Sequence, residues 1–455
     1  MKLNVLSLEE AMIRKISLSA LVLSMFSSLS YAQGEFTLNS ADIRAQIANS
    51  DMAVPAPEMA PEAADKGIIT DWLFGKPAPK APAEWTIMVF GNGKNDLEPF
   101  LMKDLNEMEK IGSTDKVNII VEAGRIEGYD ASDGDWKGVR RFRMTKDSDT
   151  RKVSSKVLQD LGQSDMGDYR TVVSFVNWAK TAYPAKKYML IFWNHGSGWT
   201  KSGERIITKG ISYDEQSGNH INTPQMGLIL KSLGKIDVVG SDACLMQMAE
   251  VDYEIKDNVD FIVGSEETEP GDGYTYDLFL GPVVARPTMS ALEVGKSAVD
   301  GYANHYDGID QGYTQSLVRA GSVSKLLTLS DAFTAAVMAS GEKALAKTAR
   351  GNAINFAVAE NRDLYDFTRL VVEGSQNAEV KKAGQALMNF ITGELVIHNR
   401  TRDDKGGYWS GPKAYTLAKG IAAYFPNSTL AAGYSDLAWA KASKWDEFVL
   451  WINQP

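Results

Sequence analysis

The chain has little thiol and little imidazole: one cysteine, Cys244, and four histidines in 455 residues. A single thiol rules out an intramolecular disulfide, and the few Cys and His do not fall at zinc-binding spacings. GxGxxG, GxSxG and internal repeats are also missing, which removes the usual dinucleotide-binding, serine-hydrolase and solenoid readings. Positive charge is in deficit, with 48 Lys and Arg against 58 Asp and Glu and a formal net charge of -10. A phosphate backbone needs a basic face, so nucleic acid is not an expected partner. Composition is otherwise that of a soluble globular protein, 44% apolar and 23% charged, in a chain long enough for two or three domains.

The one long apolar run lies near the N-terminus. Met12-Ile13-Arg14-Lys15 is a short basic start, residues 16–29 are apolar apart from serines, and Ser30-Tyr31-Ala32 precedes Gln33. This is the pattern of a cleaved export signal, and it is too short and serine-rich for a stable membrane span. Residues 1–11 contain Glu9 and Glu10 and do not fit a signal, so Met12 is the candidate start. Residues 1–32 are therefore expected to be removed, leaving a periplasmic or secreted protein. No cysteine follows the run, so no lipid anchor of the bacterial lipoprotein type is expected. An exposed thiol is a liability outside the cell, and catalysis is one reason to keep it. Residues 33–83 are rich in Ala and Pro, which suits an extended linker or a pro-segment rather than a core.

From Trp85 onward, short apolar runs alternate with helical patterns. Residues 85–90, 117–121, 188–194, 236–241 and 260–265 read as buried strands. A helix from about Asp96 carries Leu97, Leu101, Leu105 and Met108 at helical spacing. Another over 168–182 buries Val172, Phe175, Val176 and Ala179, and Thr223-Pro224 opens a third that runs to Leu233. Residues 138–144 alternate as an edge strand would. The pattern predicts an α/β fold with a mostly parallel sheet flanked by helices. Residues 84–315 are expected to form the catalytic domain. Residues 316–455 are expected to be largely helical, with helices over 323–347, 365–372 and 378–392, a late strand over 418–425 returning to the core, and a terminal helix over 445–451.

Two of the strands end in reactive residues. The first stops at His195-Gly196-Ser197-Gly198-Trp199 and the second at Asp242-Ala243-Cys244. Ligands of open α/β sheets bind at the carboxyl ends of strands. If these strands are neighbours, a thiol and an imidazole face one crevice, which is a nucleophile with its base. Each residue alone has a plainer reading, as a structural histidine and a small core-filling thiol. Residues 245–255 read as a helix opening at the cysteine, whose dipole would stabilise a thiolate and whose amides could hold an oxyanion. Glu266-Glu267-Thr268-Glu269-Pro270-Gly271-Asp272-Gly273-Tyr274 reads as an acidic loop on the same edge, with Glu266 and Glu267 expected in solvent.

At these residues the chain resembles the clostripain family of cysteine peptidases, which share a caspase-like fold. The resemblance rests on Asn194-His195-Gly196-Ser197-Gly198-Trp199 and on Asp242-Ala243-Cys244-Leu245-Met246. Further matches lie at Trp85-Thr86-Ile87-Met88-Val89, 210–214, Ser265-Glu266-Glu267, 420–426 and Trp445-Asp446-Glu447-Phe448, so that it spans 85–451. It implies Cys244 as nucleophile, His195 as general base and acid, and the Gly196 and Cys244 amides as the oxyanion hole. The family tends to cleave after Arg or Lys, with acids lining the S1 pocket. Asp242 matches one such acid and Asp272, more loosely, the second. A strand-end Asp242 bonding turn amides is the plainer alternative. Some relatives need calcium. No helix-loop-helix oxygen-ligand loop is found here, so no cofactor is required and calcium stays open. Relatives can also cut themselves between the His and the Cys, for which Lys209 is the first candidate and Arg205 the next, against a plain basic surface loop.

These readings predict an exported, monomeric cysteine endopeptidase that acts on peptides or proteins with a basic P1 residue through a thioester acyl-enzyme. The alternatives are a catalytically inactive caspase-like binding or adhesion protein, and a hydrolase or transferase with another acyl substrate.

Overall fold

The computed structural model describes residues 82–199, 210–406 and 412–455. The residues read as an export signal, nearly all of the Ala/Pro-rich segment and the cleavage candidates Lys209 and Arg205 lie outside the described residues.

Thirteen strands follow in chain order among the described residues: β1 (Ala83–Gly93), β2 (Val117–Arg125), β3 (Gly138–Arg143), β4 (Val157–Asp160), β5 (Ala185–Trp193), β6 (Gly210–Asp214), β7 (Asn219–Asn222), β8 (Ile236–Asp242), β9 (Val259–Gly264), β10 (Tyr313–Arg319), β11 (Asn361–Asp363), β12 (Val396–Arg402) and β13 (Ala422–Tyr424). Nine of them form one sheet in the order β12-β10-β9-β8-β5-β1-β2-β3-β4. Its centre, from β2 to β9, is parallel, as near-continuous apolar runs require when both faces are covered. Antiparallel strands close both edges.

The period-2 alternation of each strand divides its side chains between two cores. Ile87, Val89, Ile119, Val121, Met189, Ile191 and Val238 face one layer, with Leu101 and Leu105 of the helix Glu98–Ile111 and Phe279 of Tyr276–Ala285. Met88, Phe90, Ile120, Leu190, Phe192 and Val239 face the other, with Val172 and Phe175 of Tyr169–Ala182 and Met226 of Thr223–Leu233. This is the expected caspase-like α/β architecture, with three differences in detail. β3 is not an edge strand, because the short β4 pairs outside it. The sheet runs through the expected boundary at 315, since β10 spans it and β12 joins as the outermost strand. The late strand β13 is buried but pairs with β11, touching the sheet side through a parallel bridge from Ala422 to Met248. The helix expected over 323–347 is two, Val323–Ser340 and Lys343–Asn352, separated at Gly341 in the left-handed region at φ 73.

Candidate active site

The chain leaves β1 to add β2 on one side, then crosses to β5 and adds β8 and β9 on the other. Such a switch point opens a crevice at the carboxyl edge. Register places Trp193 opposite Asp242, and the Asn194 N–H donates to the Asp242 carbonyl at 3.2 Å. His195 and Cys244 therefore leave their strands at the same level. The two turns touch: a Cβ on Gly196 would lie 2.5 Å from the Cys244 carbonyl oxygen and 3.1 Å from its nitrogen. Only glycine allows that approach, and it brings together the two residues assigned to an oxyanion hole.

The thiol sits in a turn and not at a helix start. Leu245 adopts φ 65 and the next helix begins only at Ala249. The expectation of a dipole-stabilised thiolate is thus corrected. Hydrogen bonds from Leu245 N–H to Glu267 O at 3.1 Å and from Gln247 N–H to Ser265 O at 3.0 Å hold this turn on the acidic loop instead of letting it coil. Sγ accepts from the Glu269 N–H at 3.3 Å. Burial, followed by the Glu269 carboxyl, pushes the thiol up to about 12, so it rests protonated at neutral pH.

Beneath the thiol lies an acid pair. Asp242 is buried, accepting from the Tyr274 N–H at 2.9 Å and from the Tyr276 hydroxyl at 2.9 Å. Burial raises it to about 7. Glu269 is raised well above the usual carboxylate range, first by burial and then by Asp242 against it. Gln315 Nε2 donates to Glu269 Oε1 at 3.1 Å, while the buried Oε2 has no donor among the described residues. Two buried carboxyls in contact share a proton rather than ionise together. Asp272, the expected second acid, is elsewhere occupied: it pairs with Lys103 at 2.7 Å and His305 at 3.1 Å at the surface. Glu269, on the same loop, was not singled out in the sequence, where its only mark was its place beside Pro270.

Glu266 and Glu267 are buried rather than solvated. Glu267 accepts from the Tyr415 hydroxyl at 2.6 Å and from Lys413 Nζ at 2.8 Å, and Glu266 accepts from the Gly420 N–H at 3.0 Å. These acids tie the C-terminal region to the loop that floors the thiol.

His195 is held from its open side. Its Nε2 lies 2.7 Å from Asp96 Oδ1, a partner that sequence reasoning missed because Asp96 was taken only as a helix start. Among the described residues, no group of three or more His, Cys, Asp or Glu is arranged to hold a metal ion, and no helix is long and apolar enough to cross a membrane.

A thiol and an imidazole on adjoining turns, at the switch point of a caspase-like sheet, define the class of scaffold. The particular family follows from comparison: the clostripain family model matches residues 89–451, and the chain belongs to that family. Clostripain of Hathewaya histolytica is 27% identical over 214 residues, 42% of this chain and 40% of that protein, so the match spans less than half the length of this curated relative. A secreted cysteine protease from Bacteroides thetaiotaomicron, solved with an irreversible peptide inhibitor, superposes with a TM-score of 0.60 at 20% identity, covering 80% of this chain and 100% of that one. An inactive zymogen protease from Parabacteroides distasonis gives 0.55 at 17% identity, over 79% and 98%. Both establish the shared fold.

Proposed function

We propose that the chain is an exported cysteine endopeptidase that cleaves after Arg or Lys. The observation that carries this reading is the Asp242–Glu269 acid pair behind the thiol, to which no Lys or Arg is paired among the described residues. An unpaired buried acid is costly, and an entering ammonium or guanidinium relieves it. The scissile carbonyl then lies over Cys244. His195 takes the thiol proton as sulfur attacks, and the Gly196 and Cys244 amides receive the oxyanion. His195 returns the proton to the leaving amine, and water hydrolyses the thioester to free the acid and the thiol. Thiol, imidazole and amides supply every step, so the reading needs no cofactor.

Family membership and fold support the peptidase assignment. Export rests on residues 12–32. Self-cleavage after Lys209, with Arg205 second, is supported by the site's position in the chain: Gly210 opens β6, and its N–H donates to Ser197 Oγ at 3.0 Å beside the His195 turn.

Fluorogenic peptides with Arg, Lys, Leu or Asp at P1 test the proposal. Turnover of the Arg or Lys peptide is expected, falling to background in Cys244→Ala. Asp242→Asn and Glu269→Gln are expected to lower kcat/KM for it by roughly 10–100-fold, the value of one charge-assisted hydrogen bond. Turnover unchanged in Cys244→Ala removes the thiol from the mechanism, and equal rates on the Leu peptide remove the basic preference.

A further inference from the structure

We infer that Asp96 is a positioning residue for the His195 base, completing a Cys244–His195–Asp96 relay; this rests on the peptidase reading above. The imidazole has two nitrogens with distinct tasks. Nε2 is 2.7 Å from Asp96 Oδ1, and a carboxylate can only accept there, so Nε2 carries the proton. Nδ1 is then the free lone pair of the neutral ring, the tautomer a base needs. When Nδ1 takes the thiol proton, the imidazolium that forms is already beside a fixed negative charge. No proton passes to Asp96: it orients the ring and stabilises the cation.

The placement of Asp96 is built rather than incidental. It leaves β1, the strand next to β5, so carboxylate and ring stand on adjoining turns at the switch point. Those turns are tied together by buried asparagines. Asn194 Nδ2 donates to the Asn92 carbonyl, and Asn194 Oδ1 accepts from the Tyr213 N–H at 2.7 Å. Asn95 Nδ2 donates to the Tyr213 carbonyl at 2.8 Å, and Asn92 Nδ2 donates to Ser212 Oγ at 3.0 Å. Lys94 adds a buried ion pair to Asp214 at 2.9 Å. The residues just before both Asp96 and His195 are thus fixed, while the Asp96 and His195 side chains themselves stay 59% and 43% exposed. A contact between side chains this exposed contributes little to stability. On the peptidase reading a bound substrate covers the pair, and there the interaction strengthens as water leaves. Asp96 itself is held below the usual carboxylate range, first by its hydrogen bond to His195.

The test compares wild type, Asp96→Asn, Asp96→Ala, Asp96→Glu and Cys244→Ala on the Arg or Lys peptide, with active sites counted by titration and melting temperatures recorded. For Asp96→Asn and Asp96→Ala the account expects kcat to fall about 10–100-fold, KM to change less than about threefold and melting to stay put. Asp96→Glu is expected to recover part of kcat. Nitrogen-15 NMR of His195 is expected to report an Nε2-protonated ring in the wild type and a mixture of tautomers in Asp96→Ala. An active wild type whose kcat and tautomer are unaffected by Asp96→Asn and Asp96→Ala overturns the relay and leaves the dyad intact. A wild type with no more turnover than Cys244→Ala overturns the peptidase reading itself, and the tautomer measurement still decides what Asp96 does to the ring.

Discussion

Cys244 is guarded by the same charges that would recruit its substrate. Burial and the Glu269 carboxyl hold the thiol protonated, which slows oxidation of a lone cysteine. A cation seated between Asp242 and Glu269 cancels that negative field, so the thiol should become easier to ionise when a basic side chain is bound. Adding propylguanidinium or butylammonium at pH 7.5 is therefore expected to accelerate alkylation of Cys244 by iodoacetamide several-fold. A one-unit fall in thiol pKa raises the thiolate fraction about tenfold. Slower alkylation would place the cation over the sulfur and not behind it. The approach of the His195 and Cys244 turns was legible in the sequence because each follows an apolar strand. Glu269 and Asp96 were not, since their roles arise from packing between segments far apart in the chain. Asp272 was the acid named from this loop, and it pairs instead with Lys103 and His305.

At the level of elements, the site is the meeting of three strand ends. The turns after β1, β5 and β8 carry Asp96, His195 and Cys244, and they fit only because Gly196 has no side chain. Gly196→Ala would drive a methyl against the Cys244 carbonyl oxygen. The expected outcome is a fold that survives, with kcat reduced at least about tenfold through a displaced oxyanion hole. Circular dichroism and peptide turnover together check this, and wild-type kcat in Gly196→Ala would contradict the assigned contact. The apolar strands were readable because their runs are long and buried. β4 was missed because four residues alternating half-buried and exposed leave too short a pattern. The helix expected to open at Cys244 failed for a tertiary reason: Leu245 and Gln247 donate to the acidic loop, and that pairing outweighs local helix propensity.

Across the whole molecule, acids are buried on both sides of the sheet. Burial is the first cause that raises Glu122, Asp242 and Glu250 to about 7 and Asp363 to about 6. The unfolded chain releases these protons near pH 4. Between about pH 4 and 7 the folded state therefore binds more protons, and stability falls as pH rises. This contribution is fully present below about pH 4 and is lost as pH climbs through 6 to 7. Melting followed by calorimetry should accordingly give a higher Tm at pH 5.5 than at pH 8, and the reverse order would mean that these acids are ionised in the fold. On the proposed reading the acid pair in the site would impose the opposite trend on function, because Asp242 and Glu269 would have to lose their shared proton to hold a cation. The parallel centre of the sheet was legible from the alternation of strands and helices. The addition of β12 and the docking of the segment ahead of β13 on Glu266 and Glu267 were not, because they depend on contacts between segments far apart in the chain.

The most direct measurement is peptide mapping of the purified protein after reaction with a Lys- or Arg-acyloxymethyl ketone. One equivalent of label on Cys244, strongly reduced in Asp242→Asn and Glu269→Gln, is the result predicted. No label on Cys244, or labelling indifferent to both substitutions, would contradict a nucleophile set against an acidic pocket.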